Sequence, residues 1–278
     1  MLNGARRTVR DFFNHLVTGS IKDAGTVRAT LLAILCAVLL LFFLLRKSRV
    51  IMPVVIFILG IALMVFEIAA LTIHHVEPVE MSHISYFILG LALLTGIREL
   101  YLWAGVASLT SGAGFFVGGI FLTDFMVNGV VVYYKSIVSH SLLLFCGLFL
   151  LFGMTKMQKK DLIYASFGYV IVFLYEVIAR YSGLYSFQNL NKYFFMHVID
   201  GTVVNHYLFG NDNLHLGLQI AMPVLACAFF IGLCFLFYWL SNKVRRKGEA
   251  VVIGLVPLLK IIIRPIKEKH QKDSMFEL

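Results

Sequence analysis

The sequence predicts an all-α, polytopic membrane protein: a bundle of about seven transmembrane helices, N-terminus external and C-terminus cytoplasmic. Three observations lead there. Apolar residues make up 60% of the 278, more than a soluble domain can hide. Charged residues are only 14%, and the mean hydropathy is +0.87. The apolar residues also gather into runs close to the length that crosses a bilayer, about 20 residues. Together these exclude a cytosolic globular enzyme, a disordered chain and a disulfide-stapled secreted module. The four cysteines, Cys36, Cys146, Cys227 and Cys234, all lie inside apolar runs without metal-ligand or disulfide spacing. They read as small packing residues.

The runs, in order, are Thr30 to Leu45, Val50 to Ile73, His83 to Gly96, Trp103 to Leu122, Ser136 to Met154, Leu162 to Ala179, and Leu214 to Leu240. The third is short. The first reads as a retained span rather than a signal peptide, because Arg46, Lys47 and Arg49 follow it where small residues would be needed. The chain thus divides into an amphipathic external segment, 1–28, a seven-helix transmembrane domain, 29–240, and a basic amphipathic cytoplasmic tail, 241–278.

Orientation rests on where Lys and Arg fall. With seven spans, 16 of the 24 lie in the segments 46–49, 97–102, 155–161 and 241–278, which marks that side as cytoplasmic. The net charge of +9 is accounted for in this way and calls for no nucleic acid. Residues 5–17 place Val9, Phe12, Phe13, Leu16 and Val17 near one face, as an interfacial helix would. From Lys243 the tail mixes the apolar stretch Val251 to Ile263 with Lys260, Arg264, Lys267 and Lys269. It is interrupted by Pro257 and too short to span. It should lie along anionic lipids of the inner leaflet or dock a protein partner.

In that orientation eight of the nine histidines are external: His15, His74, His75, His83, His140, His197, His206 and His215. Only His270 is inside. Glu67 lies about 9 Å below the external end of its span, six residues at 1.5 Å each. Glu176 and Arg180 stand at the i,i+4 spacing of a structural ion pair. Ionisable groups at membrane depth are costly and face a bundle interior or a wet cavity. Glu67 therefore reads as either a pocket residue or a structural one.

A histidine with an oxygen nucleophile is the chemistry these residues offer. His83-Ile84-Ser85 opens the third span, and His140 lies one turn into the fifth at similar depth. Neutral imidazole can take the proton of a hydroxyl as it attacks a carbonyl. Residues two apart do not face each other on a helix, so Ser85 should pair with His140 rather than with His83. Glu67 should orient an imidazole by accepting its N–H, on a cavity where the second, third and fifth spans meet. The bland alternative pairs Glu67 with Arg180 or a backbone group and leaves the histidines in the headgroup layer. His74, His75, His83 and His140 could instead bind zinc, but no HExxH-type spacing supports that. No metal or cofactor is expected.

The order of these features resembles the YwaF-like bacterial integral membrane proteins, relatives of the eukaryotic transmembrane-protein-164 family. The likeness lies in RKSR at 46–49, VFEIAAL at 65–71, MSHISYF at 81–87, IVSHSLLLF with Ser139-His140, and YSGLYSFQNLNK at 181–192. It runs over roughly residues 27–240. The family pattern around the third span resembles P-x-H-x-C. His83 matches its histidine, Ser85 stands where the cysteine is expected, and the proline is absent, since Val79, with Pro78 beside it, does not line up. The eukaryotic relatives are lipid acyltransferases that use that cysteine. The resemblance therefore implies a lipid acyltransferase or lipid-ester hydrolase of the cell membrane, working at the external leaflet with His83, His140, Ser85 and Glu67.

Two other functions compete. A non-catalytic subunit or scaffold would hold a protein partner with the tail or the external segment 180–213. A transporter subunit would exploit the small-residue stretch GVASLTSGAGFFVGG at 105–119, which permits either close packing or a broken helix.

Overall fold

The computed structural model describes residues 24–46, 48, 51–73, 78, 81–121, 130–153, 157–182 and 216–244. Among these are seven α-helices and no strand: α1 (Ala24–Leu45), α2 (Ile51–Thr72), α3 (Met81–Thr95), α4 (Tyr101–Phe121), α5 (Val130–Phe152), α6 (Lys159–Tyr181) and α7 (Leu216–Val244). One 3-10 turn, Arg98–Leu100, leads into α4. Six of the helices are long and apolar enough to cross a membrane; α3, with 15 residues, is shorter. The chain is an integral, multi-pass membrane protein. Several expectations lie outside the described residues: the amphipathic segment 5–17, nearly all of the tail, most of 180–213, and His15, His74, His75, His197, His206, His215 and His270.

Several helix ends outrun the apolar runs. α1 begins six residues before Thr30, α5 six before Ser136, and α7 ends four after Leu240. Hydropathy marks the part of a helix that meets lipid. Backbone hydrogen bonding carries the helix on into the interface, where each added residue still gains a bond.

α4 is the hub, packing against α1, α3, α5, α6 and α7. Its inner face explains why: Ala104, Gly105, Ala107, Ser108 and Gly112 are all buried and small. The closest approach is to α5. A Cβ at Gly112 would stand 2.6 Å from the Leu144 amide nitrogen and 2.8 Å from the His140 carbonyl oxygen. From the other side, a Cβ at Gly147 would stand 2.7 Å from the Leu109 nitrogen. Small residues allow this backbone-to-backbone contact, which is how helices associate without a hydrophobic drive. α4 runs unbroken from Tyr101 to Phe121, so of the two uses foreseen for its small residues, close packing is the one realised.

α3 is short and largely enclosed. Eight of its residues are buried, between α2 on one side and α4 on the other. Its C-terminal end is closed by Gly96 at φ 71°. The Gly96 N–H donates to the Ala92 carbonyl at 3.0 Å, the left-handed cap that glycine adopts without strain. The Tyr101 hydroxyl then donates to the Gly96 carbonyl at 2.9 Å.

Polar contacts concentrate at the two ends of the bundle. At the Arg98 end, Arg98 Nε lies 3.5 Å from Asp161 Oδ2, and Lys160 Nζ 3.2 Å from Glu99. Asp161 also accepts the Gln158 N–H at 2.7 Å, at the start of α6. The Asn242 amide clamps Met157 by accepting its N–H at 3.0 Å and donating to its carbonyl at 3.3 Å. The turn before α4, the turn before α6 and the end of α7 therefore meet at one level. Lys243, over the ring of Trp239 at 4.8 Å, belongs to the same end. The opposite end carries Glu67, His83 and Lys135.

The α4–α5 contact yields a stability prediction. Gly112→Ala should destabilise the bundle by about 1–3 kcal/mol, the cost of overpacking a tight contact. Gly114→Ala, with open space around its Cβ, should change little. Thermal unfolding in detergent reads both, and equal midpoints would contradict so close a contact.

Candidate functional site

Glu67 lies five residues before the end of α2, about 8 Å along the axis at 1.5 Å per residue. It is 1% exposed, and its Oε2 lies 3.0 Å from Nδ1 of His83, whose side chain is 18% exposed. His83 sits in the first turn of α3. The antiparallel packing of α2 and α3 makes the meeting possible. Gly60 receives Leu93 and Gly90 receives Met64, each where a Cβ would leave less than 3 Å. A carboxylate can only accept, so Nδ1 carries the hydrogen and Nε2 is left with the lone pair of the neutral ring. The carboxylate–imidazole hydrogen bond expected of Glu67 is made with His83, not with Arg180 or a backbone group.

His140, on α5, is held differently. Its Nδ1 donates to the Ser136 carbonyl one turn back at 2.8 Å, and its ring stacks on Phe115 of α4 at 4.2 Å and 14°. Again Nε2 is the nitrogen with the lone pair. Between the two imidazoles stands Tyr86, three residues after His83 on the same helix face. Its ring meets His83 and His140 edge-on, each at 6.1 Å. It also meets Phe66 at 5.2 Å, and Lys135 Nζ lies 5.1 Å over the Phe66 ring. The Tyr86 hydroxyl is buried and has no hydrogen-bond partner among the described residues.

Glu67, His83 and His140 thus belong to one cluster. α3 packs against both α2 and α5, while α2 and α5 touch through Lys135 and Phe66. Ser85 departs from expectation. It is fully buried, and its hydroxyl donates to the Met81 carbonyl at 2.6 Å. It makes no hydrogen bond to His140, because a serine in a helix readily bonds its own i−4 carbonyl. Glu176 is fully buried on the inner face of α6 and Arg180 is partly buried one turn further on. Among the described residues no group of three His, Cys, Asp or Glu side chains is placed to hold a metal ion.

Sequence reasoning passed over Tyr86, Phe115 and Ser136. The first had a signal: His83 and Tyr86 stand at i,i+3, so a tyrosine faces the same neighbours as the histidine. Phe115 lay hidden inside a stretch read for its glycines. Ser136 contributes only a carbonyl, which no side-chain pattern reveals.

The two hydrogen bonds fix the tautomers. In nitrogen-15 spectra of the protein in nanodiscs, neutral His83 and His140 should both carry hydrogen on Nδ1. An Nε2–H form of His140 would contradict its bond to Ser136.

No protein-family model, curated protein or solved structure matches the chain.

Proposed function

We propose that the chain is a lipid-ester hydrolase or acyltransferase of the cell membrane whose general base is His83 held by Glu67. The hydrogen bond of 3.0 Å between Glu67 Oε2 and His83 Nδ1 carries the reading. A carboxylate that accepts the Nδ1 hydrogen fixes the ring and stabilises the imidazolium that forms when Nε2 takes a proton. The proton would come from a hydroxyl attacking the ester carbonyl. The new C–O bond forms, the old ester C–O bond breaks, and the proton passes from Nε2 to the departing alkoxide. Water as the attacking hydroxyl gives hydrolysis, and a lipid alcohol gives acyl transfer. Ser85 gives its hydrogen to Met81 and is sealed from solvent, which favours a hydroxyl from outside the chain over an acyl-serine intermediate. The resemblance to the YwaF-like proteins and their acyltransferase relatives supports the same reaction class.

On this reading all seven helices cross the membrane. α3, about 22 Å long at 1.5 Å per residue, is shorter than the hydrocarbon layer of about 30 Å, but its neighbours shield it and its His83 end lies recessed. The Arg98 end is cytoplasmic, because Arg98, Lys159, Lys160 and Lys243 gather there. The dyad then opens toward the external leaflet.

Purified protein in nanodiscs, supplied with lipid esters, should release or transfer acyl chains. His83→Ala should lower the rate by about 10²- to 10⁴-fold, the usual worth of a general base, while Ser85→Ala should leave it. Full activity in His83→Ala would end the reading, and loss in a folded Ser85→Ala would restore the acyl-serine. Wild-type protein inert toward every ester, and isolated with an equimolar partner, would favour the non-catalytic subunit. For topology, cysteine placed at Lys159 should react only with reagent on the cytoplasmic side; labelling from outside would reverse the orientation.

A further inference from the structure

Two buried polar atoms of the cluster have no hydrogen-bond partner among the described residues: Glu67 Oε1 and the Tyr86 hydroxyl. They belong to the facing helices α2 and α3, and both side chains meet the His83 ring: Glu67 Oε2 lies 3.0 Å from its Nδ1 and the Tyr86 ring 6.1 Å from its centroid. Ser139 of α5 is also buried, next to His140, and its Oγ donates to the Ser136 carbonyl at 3.2 Å. An unpaired polar group away from solvent costs free energy, and this cluster holds two. A common partner would have to donate to the carboxylate and accept from the phenol. It would also have to be small, since Glu67 is 1% and Tyr86 2% exposed.

We propose that one internal water molecule joins these groups. It donates to Glu67 Oε1 and accepts the Tyr86 O–H, with Ser139 Oγ as a third neighbour, within the two to four polar partners such waters usually have. Both oxygens of Glu67 are then engaged, His83 on one and water on the other, so the carboxylate is fixed in the orientation that holds the imidazole. The water also extends the dyad, through Tyr86 and Ser139, toward His140. Tyr169 is the contrast within the same fold. Its hydroxyl is also buried without a hydrogen bond, but its ring packs on Trp103 and Phe230, which give a bridging water no strong acceptor.

X-ray hydroxyl-radical footprinting of the full chain in nanodiscs tests this, because radiolysis of a bound water oxidises the side chain beside it whatever its exposure. Tyr86 should be oxidised faster than Tyr169. The excess should persist in Glu67→Gln, which keeps a polar partner for the water, and vanish in Glu67→Leu. Tyr86 as inert as Tyr169 in wild-type protein, or an undiminished rate in folded Glu67→Leu, would overturn the proposal. If Glu67→Leu fails to fold, the wild-type comparison of the two tyrosines decides alone. Footprinting needs no turnover, so a hydrated Tyr86 in an inactive protein would sink only the catalytic reading. A dry Tyr86 in an active one would sink only the water.

Discussion

A carboxylate buried in a membrane-spanning helix must be compensated, and that constraint organises the end of the bundle where Glu67 lies. Isolated in hydrocarbon, the charge would cost several kcal/mol or be given up by protonation. The His83 ring meets it at 3.0 Å, and to do so α3 must begin below the end of α2 and cross it closely. Gly60 and Gly90 permit that crossing. The shortness of α3, its enclosure by neighbours and the placing of Tyr86 between two imidazoles all follow from bringing His83 to Glu67.

The middle of the bundle obeys a different rule. Between the polar ends, α4 holds five helices through small residues, and its closest contact, with α5, is backbone against backbone. That contact also sets the site, since the Gly112 position lies against the His140 carbonyl, and Phe115, one turn on, stacks against the His140 ring. The second imidazole is therefore placed by the packing of α4 on α5, whereas the first is placed by a hydrogen-bonding partner on α2. At the Arg98 end, Asp161 and Asn242 tie the turns together and hold the ladder of helices in register.

Much of this could be read from the chain, and the limits have physical causes. Apolar runs gave the helices their order but not their ends, because a helix continues past the hydrocarbon on its own hydrogen bonds. The pairing of Glu67 with an imidazole was legible, because a carboxylate at that depth needs a partner and histidines cluster on the same side. Which histidine it takes depends on the α2–α3 crossing, which no periodicity specifies. Ser85 was expected to pair with His140, but its hydroxyl bonds Met81. A helical serine has a ready acceptor in the carbonyl one turn back, and that local bond wins over one to another helix. Tyr86 was missed because it looked like one more aromatic in an apolar run. Asp161 sits in a turn read only for its lysines, so its role in capping α6 and holding Arg98 passed unnoticed.

The central claim is that Glu67 and His83 act as one unit. A double-mutant cycle measures it: Glu67→Leu, His83→Leu and the double variant, with stability taken from reversible unfolding in bicelles. The pair should show a coupling of about 1.5–3 kcal/mol, the range for a hydrogen bond to a charged group, with the double variant more stable than the sum of the single losses implies. Additive losses, with coupling near zero, would mean that the two side chains are independent and that the site is not organised as described.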